Sequence, residues 1–252
     1  MTNQIGSIAE LAGKLINARS SGGQVGHIEE TALRDENECY EVQGRVAAAL
    51  GPVGAFKTAR KPGQPQIMAP ILAADVRRSP AVFGPDELEL IGVELEVGFL
   101  VTGELPDPRQ ADFNERARSR VAPVPVLEIV DTRYGDLRAA GPLARLADNQ
   151  INGALVTGAP RSNWNGLDLK NVTARLKFGD ETVLDGDVPV PGGDAYETFC
   201  AFARMVGVHC GGLRPGQFVI TGSLNGLPFI ERGIRIRGCI KGLGDVEADF
   251  PR

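Results

Sequence analysis

The chain has 252 residues, of which 42% are hydrophobic, 23% charged and 6% aromatic. This ordinary globular composition excludes disordered, collagen-like and disulfide-scaffold proteins. The net charge of −5 argues against a nucleic-acid partner, because a surface that follows phosphates needs a basic patch.

Two amphipathic helices are predicted in the first fifty residues. Ser7 followed by Glu10 resembles a capping box, in which each side chain satisfies a backbone donor of the other residue, and this predicts the start of the first helix. Its apolar face is formed by Ile8, Leu11 and Leu15. Asp35 with Glu38 predicts the start of the second helix, which Gly51 ends.

Four prolines in residues 51–72 break the first part of the segment 51–85, which is predicted as a loop with short extended pieces. Loops of this length are often functional. Alternation of apolar and polar residues then predicts strands at 93–101 and 124–131, joined by a loop with a short helix. Further strand-like runs follow. Asp194 with Glu197 predicts a last helix, and three more strand-like runs come after it.

These elements predict an α+β fold with a helical N-terminal part. The N-terminal helical region is expected to cover residues 1–60, and a β-rich catalytic domain residues 61–252, with both parts forming one compact unit. A chain of this length can bury enough surface for a core and a cavity.

The cysteines and the N-terminal segment indicate the cellular compartment in which the protein is expected. The four cysteines are far apart and form no CxxC pair, and two histidines do not provide the ligand spacing of a zinc site. The N-terminal segment lacks the pattern of a signal peptide. No stretch approaches the roughly 20 apolar residues of a membrane span. We therefore expect a soluble, cytoplasmic protein with reduced thiols and without a membrane partner.

Glu94 and Glu96 are the most informative residues. Side chains at i and i+2 of a strand point to the same face, so these carboxylates repel each other unless a cation lies between them. A hard divalent ion such as Mg²⁺ takes oxygen ligands. Glu128, which lies in an apolar run, could supply a third oxygen and needs a partner if it is buried. The alternative is that Glu94 and Glu96 form the solvated side of an edge strand.

Several segments resemble, in the same order, the 2-keto-4-pentenoate hydratases and 4-oxalocrotonate decarboxylases of the fumarylacetoacetate hydrolase superfamily. The matching segments are CYEVQ (39–43), GAFK (54–57), GVELEVGFLVTGELP (92–106), VLEIVDTR (126–133), ADNQINGALVTG (147–158), LRPGQFVITGSLNG (213–226) and GLGDVEADF (242–250). They cover most of the chain from about residue 35, and the ordered set is specific although no single motif is decisive.

The resemblance implies a mixed β-roll and a Mg²⁺ or Mn²⁺ ion held by Glu94, Glu96 and Glu128. It also implies a lyase, a hydratase or decarboxylase of aromatic-compound catabolism, and a 2-oxo or 2-hydroxydienoic acid that chelates the ion through its carboxylate and C2 oxygen. The ion would stabilise the enolate that forms when a proton moves along the carbon chain. For Asp148 and Asn149, structural hydrogen bonding and catalysis are both open.

The resemblance gives Lys57 the role of the catalytic lysine, which transfers a proton or neutralises the enolate. Beside a metal in a partly dry pocket, we expect the pKa of its ammonium group to be lowered. The predicted substrate-binding residues are Ser223 and Thr221 in the TGSL segment, with Arg60 and Gln66. For Ser223 the alternative is an ordinary turn residue, and for Arg60 a solvated loop charge.

Gln66 stands where the family hydratases carry an aspartate proposed to activate water, and glutamine cannot act as a general base. Hydration, decarboxylation and tautomerisation therefore remain open. Arg60 and Lys61 could favour a second substrate carboxylate, as in a decarboxylase.

The alternatives are a carbon–carbon hydrolase, which would need a histidine such as His27, a keto–enol tautomerase or isomerase, and a non-catalytic metal- or ligand-binding homologue. Exposed apolar positions on the N-terminal helices, like the resemblance, favour a homo-oligomer.

Overall fold

Helices open the chain and strands make up most of the remainder. A computed structural model describes residues 2–25, 33–60 and 63–252. The α-helices in these ranges are α1 (Thr2–Ser21), α2 (Glu36–Leu50), α3 (Phe113–Ala117), α4 (Pro142–Ala147) and α5 (Ala195–Met205). The strands are β1 (Val53–Ala59), β2 (Ile67–Leu72), β3 (Val76–Arg78), β4 (Ala81–Val82), β5 (Gly92–Val101), β6 (Val121–Val130), β7 (Asn152–Thr157), β8 (Asn171–Phe178), β9 (Glu181–Pro189), β10 (Phe218–Ser223), β11 (Ile234–Ile240) and β12 (Gly244–Phe250).

The two N-terminal helices lie where the apolar spacing predicts them. The predicted start of α1 is wrong, because the helix runs through Ser7 and begins at Thr2. Nothing in the first residues breaks a helix, so the capping pattern is not needed to start one. Its buried face contains Ile8, Leu11 and Leu15, as predicted. For α2 the prediction is confirmed: the Asp35 carboxylate accepts a hydrogen bond from the Glu38 backbone N–H, and the helix ends at Gly51.

The interpretation of 51–85 as mainly loop is wrong, because β1 to β4 all lie in this segment. Pro70, which argued against a strand, lies in β2. This strand is at one end of the seven-stranded sheet, where the N–H that proline lacks is not needed for pairing. Proline content therefore concealed an edge strand, and β1, which carries Lys57, was concealed with it.

Two sheets form the framework. The larger has the strand order β2-β1-β10-β5-β6-β7-β3, and the smaller has the order β4-β12-β11-β8-β9. The main core lies between them and includes Leu95 and Phe99 from β5 and Leu176 from β8. The long central strands β5 and β6 pair antiparallel over ten residues.

The other face of the larger sheet encloses a second, small apolar cluster. Its buried members are Ala55, Ile71, Val124, Val126, Leu155 and Ile220. They come from strands that are far apart in the sheet order, including β2 and β7, so the sheet must curl to bring them together. The curl creates a concave inner face with an apolar floor. Lys57 and Glu128 lie two residues along their strands from Ala55 and Val126, and so share this face.

The exposed apolar positions of α1 and α2, from residue 8 onward, are the alanines Ala9, Ala48 and Ala49, and no large apolar side chain is exposed there. The exposed large hydrophobic residues of the described chain lie elsewhere: Val82, Leu90, Val208, Leu227 and Phe229. All four cysteines are free thiols. Among the described helices, none is long and apolar enough to cross a bilayer.

Candidate metal centre

Strands β5 and β6 bring three carboxylates together on the inner face of the curled sheet. Glu94 lies directly opposite Glu128 across the two strands, and Glu96 follows on the same face of β5. One oxygen from each of the three carboxylates lies within 4.8 Å of the others. Glu96 and Glu128 are buried and Glu94 is half-buried. The alternative of a solvated edge strand is therefore wrong, because β5 is central and most of its acidic face is covered.

Lys57 on β1 adds a positive charge to this group. Its Nζ donates to Oε1 of Glu128 at 2.5 Å and to the main-chain oxygen of Gln150 at 3.1 Å. We call Glu94, Glu96, Glu128 and Lys57 the acidic centre. With every group in its usual ionised form, three carboxylates and one ammonium leave two negative charges in a mostly buried place. Such an imbalance is costly without a further cation.

The pKa of Glu96 reports this imbalance. Burial raises it well above the usual range of a glutamate, and the charges of Glu128 and Glu94 raise it further. The Lys57 ammonium and a hydrogen bond from the Gly222 N–H, 2.7 Å from Oε2 of Glu96, act in the opposite direction. Without another cation, the site therefore favours a proton on Glu96.

The pKa of Lys57 differs from expectation. Burial alone would lower it, but the charges of Glu128, Glu94 and Glu96, with the hydrogen bond to Glu128, outweigh burial, and the pKa is raised. The expectation of a lowered pKa took into account the dry pocket and the metal but gave no weight to the direct contact with Glu128. In the acidic centre without a metal, Lys57 is therefore protonated and carries a positive charge.

The donor set fits a hard divalent cation. Oε2 of Glu128 is buried and accepts no hydrogen bond, while Oε1 takes the bond from Lys57. An unpartnered carboxylate oxygen in a buried site requires a positive partner. Three carboxylates from two neighbouring strands supply the oxygen ligands that Mg²⁺ and Mn²⁺ accept, and a divalent ion would neutralise the two excess charges.

Two of the predicted substrate-binding residues have hydroxyl groups that bond within the protein. Thr221 is fully buried, and its Oγ1 donates to the main-chain oxygen of Val97 at 2.8 Å. Oγ of Ser223 donates to the main-chain oxygen of Gly226 at 2.7 Å, as an ordinary turn residue does. Ser223 is nevertheless paired in register with Glu96, so its backbone borders the acidic centre. The contacts of Thr221 are those of a structural residue.

The other two predicted residues lie around the end of β1. Nε2 of Gln66 donates to Oγ1 of Thr58 at 2.9 Å and to the main-chain oxygen of Thr198 at 3.3 Å. Arg60 is exposed and has no ion-pair partner among residues 2–25, 33–60 and 63–252. The remaining candidates, Lys61 and His27, lie outside the described residues.

Sequence reasoning missed Asn152, the first residue of β7. It is 1% exposed, and its Nδ2 donates to Oε1 of Glu128 at 2.8 Å. The signal was present, since an asparagine opened a strand-like apolar run within the ADNQINGALVTG segment. Its significance depends on the pairing of β6 with β7, in which Asn152 lies opposite Val130, two residues beyond Glu128.

The carboxylate of Asp148 is bound by two arginine side chains. Arg133 binds both of its carboxylate oxygens through Nε at 2.8 Å and Nη2 at 3.0 Å, and Nη2 of Arg19 lies 3.3 Å from Oδ1. We call Arg19, Arg133 and Asp148 the Arg–Asp cluster. With Asp75, whose Oδ2 lies 3.9 Å from Nη1 of Arg19, two guanidinium groups face two carboxylates here. For Asp148, of the two alternatives, these contacts favour structural hydrogen bonding.

Comparisons with known proteins agree with this architecture. No family model matches the chain. It is 31% identical over 159 residues to 2-keto-4-pentenoate hydratase 1 of Dechloromonas aromatica strain RCB, a match covering 63% of this chain and 59% of that protein. It is 26% identical to 2-keto-4-pentenoate hydratase 2 of the same strain over 99% of this chain and 100% of that protein. The structure of 4-oxalocrotonate decarboxylase from Pseudomonas putida G7, complexed with magnesium and adipate, aligns with a TM-score of 0.82 at 17% identity, covering 96% of this chain and 97% of the other.

The fold is a mixed α/β fold with curled sheets, similar to the folds of solved structures of the fumarylacetoacetate hydrolase superfamily. The sequence matches are to hydratases and a decarboxylase. The chain is therefore similar in sequence to proteins named 2-keto-4-pentenoate hydratase and 4-oxalocrotonate decarboxylase, which are lyases.

Proposed function

We propose that the protein is a divalent-metal-dependent lyase that acts on a 2-oxo or 2-hydroxydienoic acid of aromatic-compound catabolism. In this proposal Glu94, Glu96 and Glu128 hold Mg²⁺ or Mn²⁺, and Lys57 is the catalytic residue. The observation that carries it is the convergence of three carboxylates, two of them buried, at a site that also contains the Lys57 ammonium group. The magnesium in the related decarboxylase structure supports the choice of ion.

A divalent ion bound in the acidic centre would act as a Lewis acid that draws electrons from the C2 oxygen of a 2-oxo acid. Lys57 holds a proton at Nζ, 2.5 Å from Oε1 of Glu128, and can deliver it to the carbon chain or recover it afterwards. The apolar cluster beneath the centre excludes water from the floor of the site, which strengthens the electrostatic interactions above it.

The surroundings of Gln66 favour a reaction that does not depend on this residue to activate water. Its amide nitrogen is used by Thr58 and Thr198, and an amide has no basic site at neutral pH. Decarboxylation or keto–enol tautomerisation needs no such base, whereas hydration would need another one. Arg60 is exposed at the end of β1, as the alternative of a solvated loop charge predicts. We therefore place decarboxylation beside hydration as the second candidate activity.

The test is a turnover assay on the full chain with Mg²⁺. 2-Hydroxypenta-2,4-dienoate is followed by its dienol absorbance, and a dicarboxylic 2-oxo-enoic acid is followed by release of carbon dioxide. Product analysis distinguishes the hydrated acid, carbon dioxide with the shortened acid, and the simple keto tautomer. We expect turnover that EDTA abolishes and that added Mg²⁺ restores. Absence of turnover with both acids, together with absence of Mg²⁺ binding, would overturn the proposal.

We also propose that residues 1–60 and 61–252 act as one unit and that the protein is a homo-oligomer. The first is supported by Gln43 of α2, whose Nε2 donates to the main-chain oxygens of Met68 and Leu146. The second is supported by the exposed Leu227 and Phe229, which flank Gly92 at the start of β5. A single cooperative unfolding transition and a sedimentation mass above 26.8 kDa are the expected results.

A further inference from the structure

The orientation of Glu128 depends on more than Lys57. The terminal torsion of a glutamate side chain has broad preferences, so hydrogen bonds decide which way the carboxylate faces. Oε1 of Glu128 accepts from two donors, Nζ of Lys57 at 2.5 Å and Nδ2 of Asn152 at 2.8 Å. Oε2 accepts none, although it is buried. Two donors on one oxygen hold that oxygen in place and leave the other for a cation.

The amide orientation of Asn152 is fixed by its neighbours. Nδ2 faces two acceptors, Oε1 of Glu128 and, at 3.4 Å, the main-chain oxygen of Ala154. An amide turned the other way would direct its oxygen at both of these acceptors, which is unfavourable. The main-chain oxygen of Asn152 also accepts from Nη2 of Arg19 at 3.2 Å. Helix α1 therefore braces this residue from outside the sheet.

The residues just before Asn152 hold the other partner of Glu128. Asn149, Gln150 and Ile151 have φ values of 49°, 52° and 55°, a left-handed conformation that costs free energy in residues other than glycine. In this conformation the main-chain oxygen of Gln150 accepts from Lys57. Asp148, at the start of the segment, is anchored by the Arg–Asp cluster. A short strained segment thus supplies an acceptor to Lys57 and a donor to Glu128.

We propose that Asn152 is a positioning residue that directs Oε2 of Glu128 toward the divalent ion. This inference rests on the proposed function, since it requires that Glu128 is a metal ligand. It assigns to β7 and to the bracing Arg19 of α1 a part in metal binding, although neither supplies a ligand. Outer partners that orient metal ligands typically change metal affinity by about 10–100-fold when removed.

The test compares Mg²⁺ binding by calorimetry in the parent protein and in two variants of β7. Asn152→Leu keeps the branched shape of the side chain, although leucine is bulkier, and removes the donor to Glu128. Thr157→Val is the matched control, because Thr157 is also buried on β7 and loses a hydrogen bond, but it contacts the main-chain oxygen of Arg77 and not the acidic centre. We expect Asn152→Leu to weaken Mg²⁺ binding about 10–100-fold, and Thr157→Val to leave it within about twofold.

Asn152→Ser serves as a second variant if Asn152→Leu fails to fold, because serine is small and polar but too short to reach Glu128. Mg²⁺ affinity of either Asn152 variant within twofold of that of Thr157→Val would overturn the inference while leaving the proposed function intact. Absence of Mg²⁺ binding in the parent protein would instead overturn the proposed function, and the inference with it.

Discussion

Two buried groups of charges lie a few residues apart in this protein and are built differently. In the Arg–Asp cluster, one carboxylate is held by two guanidinium groups. In the acidic centre, three carboxylates share one ammonium. Both groups are covered by the protein, so burial alone does not distinguish them.

The two groups differ in how fully the carboxylate oxygens are compensated by hydrogen-bond donors and positive charges. Every carboxylate oxygen of Asp148 has hydrogen-bond donors, whereas Oε2 of Glu128 has none. Removing one partner of a compensated buried charge is costly, because the charge that is left is uncompensated. A buried group with an excess of one sign is costly without a further partner. The excess of negative charge among Glu94, Glu96, Glu128 and Lys57, and not the number of acidic residues, is the reason for the proposed metal site.

Lys57→Ala gives the largest effect expected from the acidic centre. Loss of a positioned acid or base typically slows the chemical step by about 10²–10⁴-fold. Mg²⁺ binding should be retained, because Asn152 still donates to Oε1 of Glu128 and the variant removes a cation that competes for this carboxylate. Turnover assays and calorimetry on the same preparation check both points. A variant that keeps the full rate would remove Lys57 from the mechanism.

Arg133→Met tests the Arg–Asp cluster. Asp148 would keep only part of its partners in a buried place, and breaking a buried pair in this way costs about 3–5 kcal/mol of stability. Denaturant unfolding measures the loss. The double variant Arg133→Met with Asp148→Leu also removes the partner that lies 3.3 Å from Arg19, so it should lose at least as much stability as the single variant. A double variant that is more stable than the single variant would show that Arg19 does not depend on Asp148.

Glu128→Gln tests the acidic centre by removing the negative charge of one proposed metal ligand. The amide keeps the size of the side chain but supplies a neutral oxygen where the ion needs an anionic one. We expect Mg²⁺ affinity to fall by about 100-fold or more, beyond the effect of most outer partners, and the metal-free protein to be at least as stable as the parent. Calorimetry and thermal unfolding in EDTA measure the two quantities. Unchanged Mg²⁺ binding in Glu128→Gln and in Glu94→Gln would eliminate the site.

Arg175→Ala provides the smallest effect and a reference for exposed charges. Arg175 pairs with Asp185 at 3.0 Å on the outer face of the smaller sheet, where both side chains are more than half exposed. Pairs of this kind contribute about 0.2–1 kcal/mol. Denaturant unfolding should therefore show a change near its detection limit, and Mg²⁺ binding should be unaffected. A large loss of stability would mean that the exposure of an ion pair does not indicate how much the pair contributes to the stability of this fold.

The sequence was sufficient where a signal is local and periodic. The alternation in β5 and β6 predicted both strands, and it predicted that Glu94 and Glu96 share a face. A lone glutamate in an apolar run predicted that Glu128 is buried, and the structure confirms it. Caps and apolar spacing predicted α2 and α5, whose first-turn backbone N–H groups donate to the carboxylates of Asp35 and Asp194.

The sequence was insufficient where a contact depends on strand pairing or on competition between donors. Asn152 reaches Glu128 only because β7 pairs with β6, and no local sequence pattern indicates which strands pair. The hydroxyls of Thr221 and Ser223 were predicted to face the substrate, but each finds a main-chain oxygen within its own neighbourhood. The pKa of Lys57 is raised because a carboxylate lies in direct contact with it, and the sequence carried no information on that distance.

The left-handed turn at Asn149, Gln150 and Ile151 has a consequence for engineering. A programme to increase heat resistance would choose such positions for glycine, which adopts this conformation without strain. Here the strained backbone carries the oxygen that holds Lys57. Glycines at these three positions would loosen that oxygen, so a gain in melting temperature would be accompanied by slower catalysis, and thermostabilisation is better directed to the exposed turns of the smaller sheet.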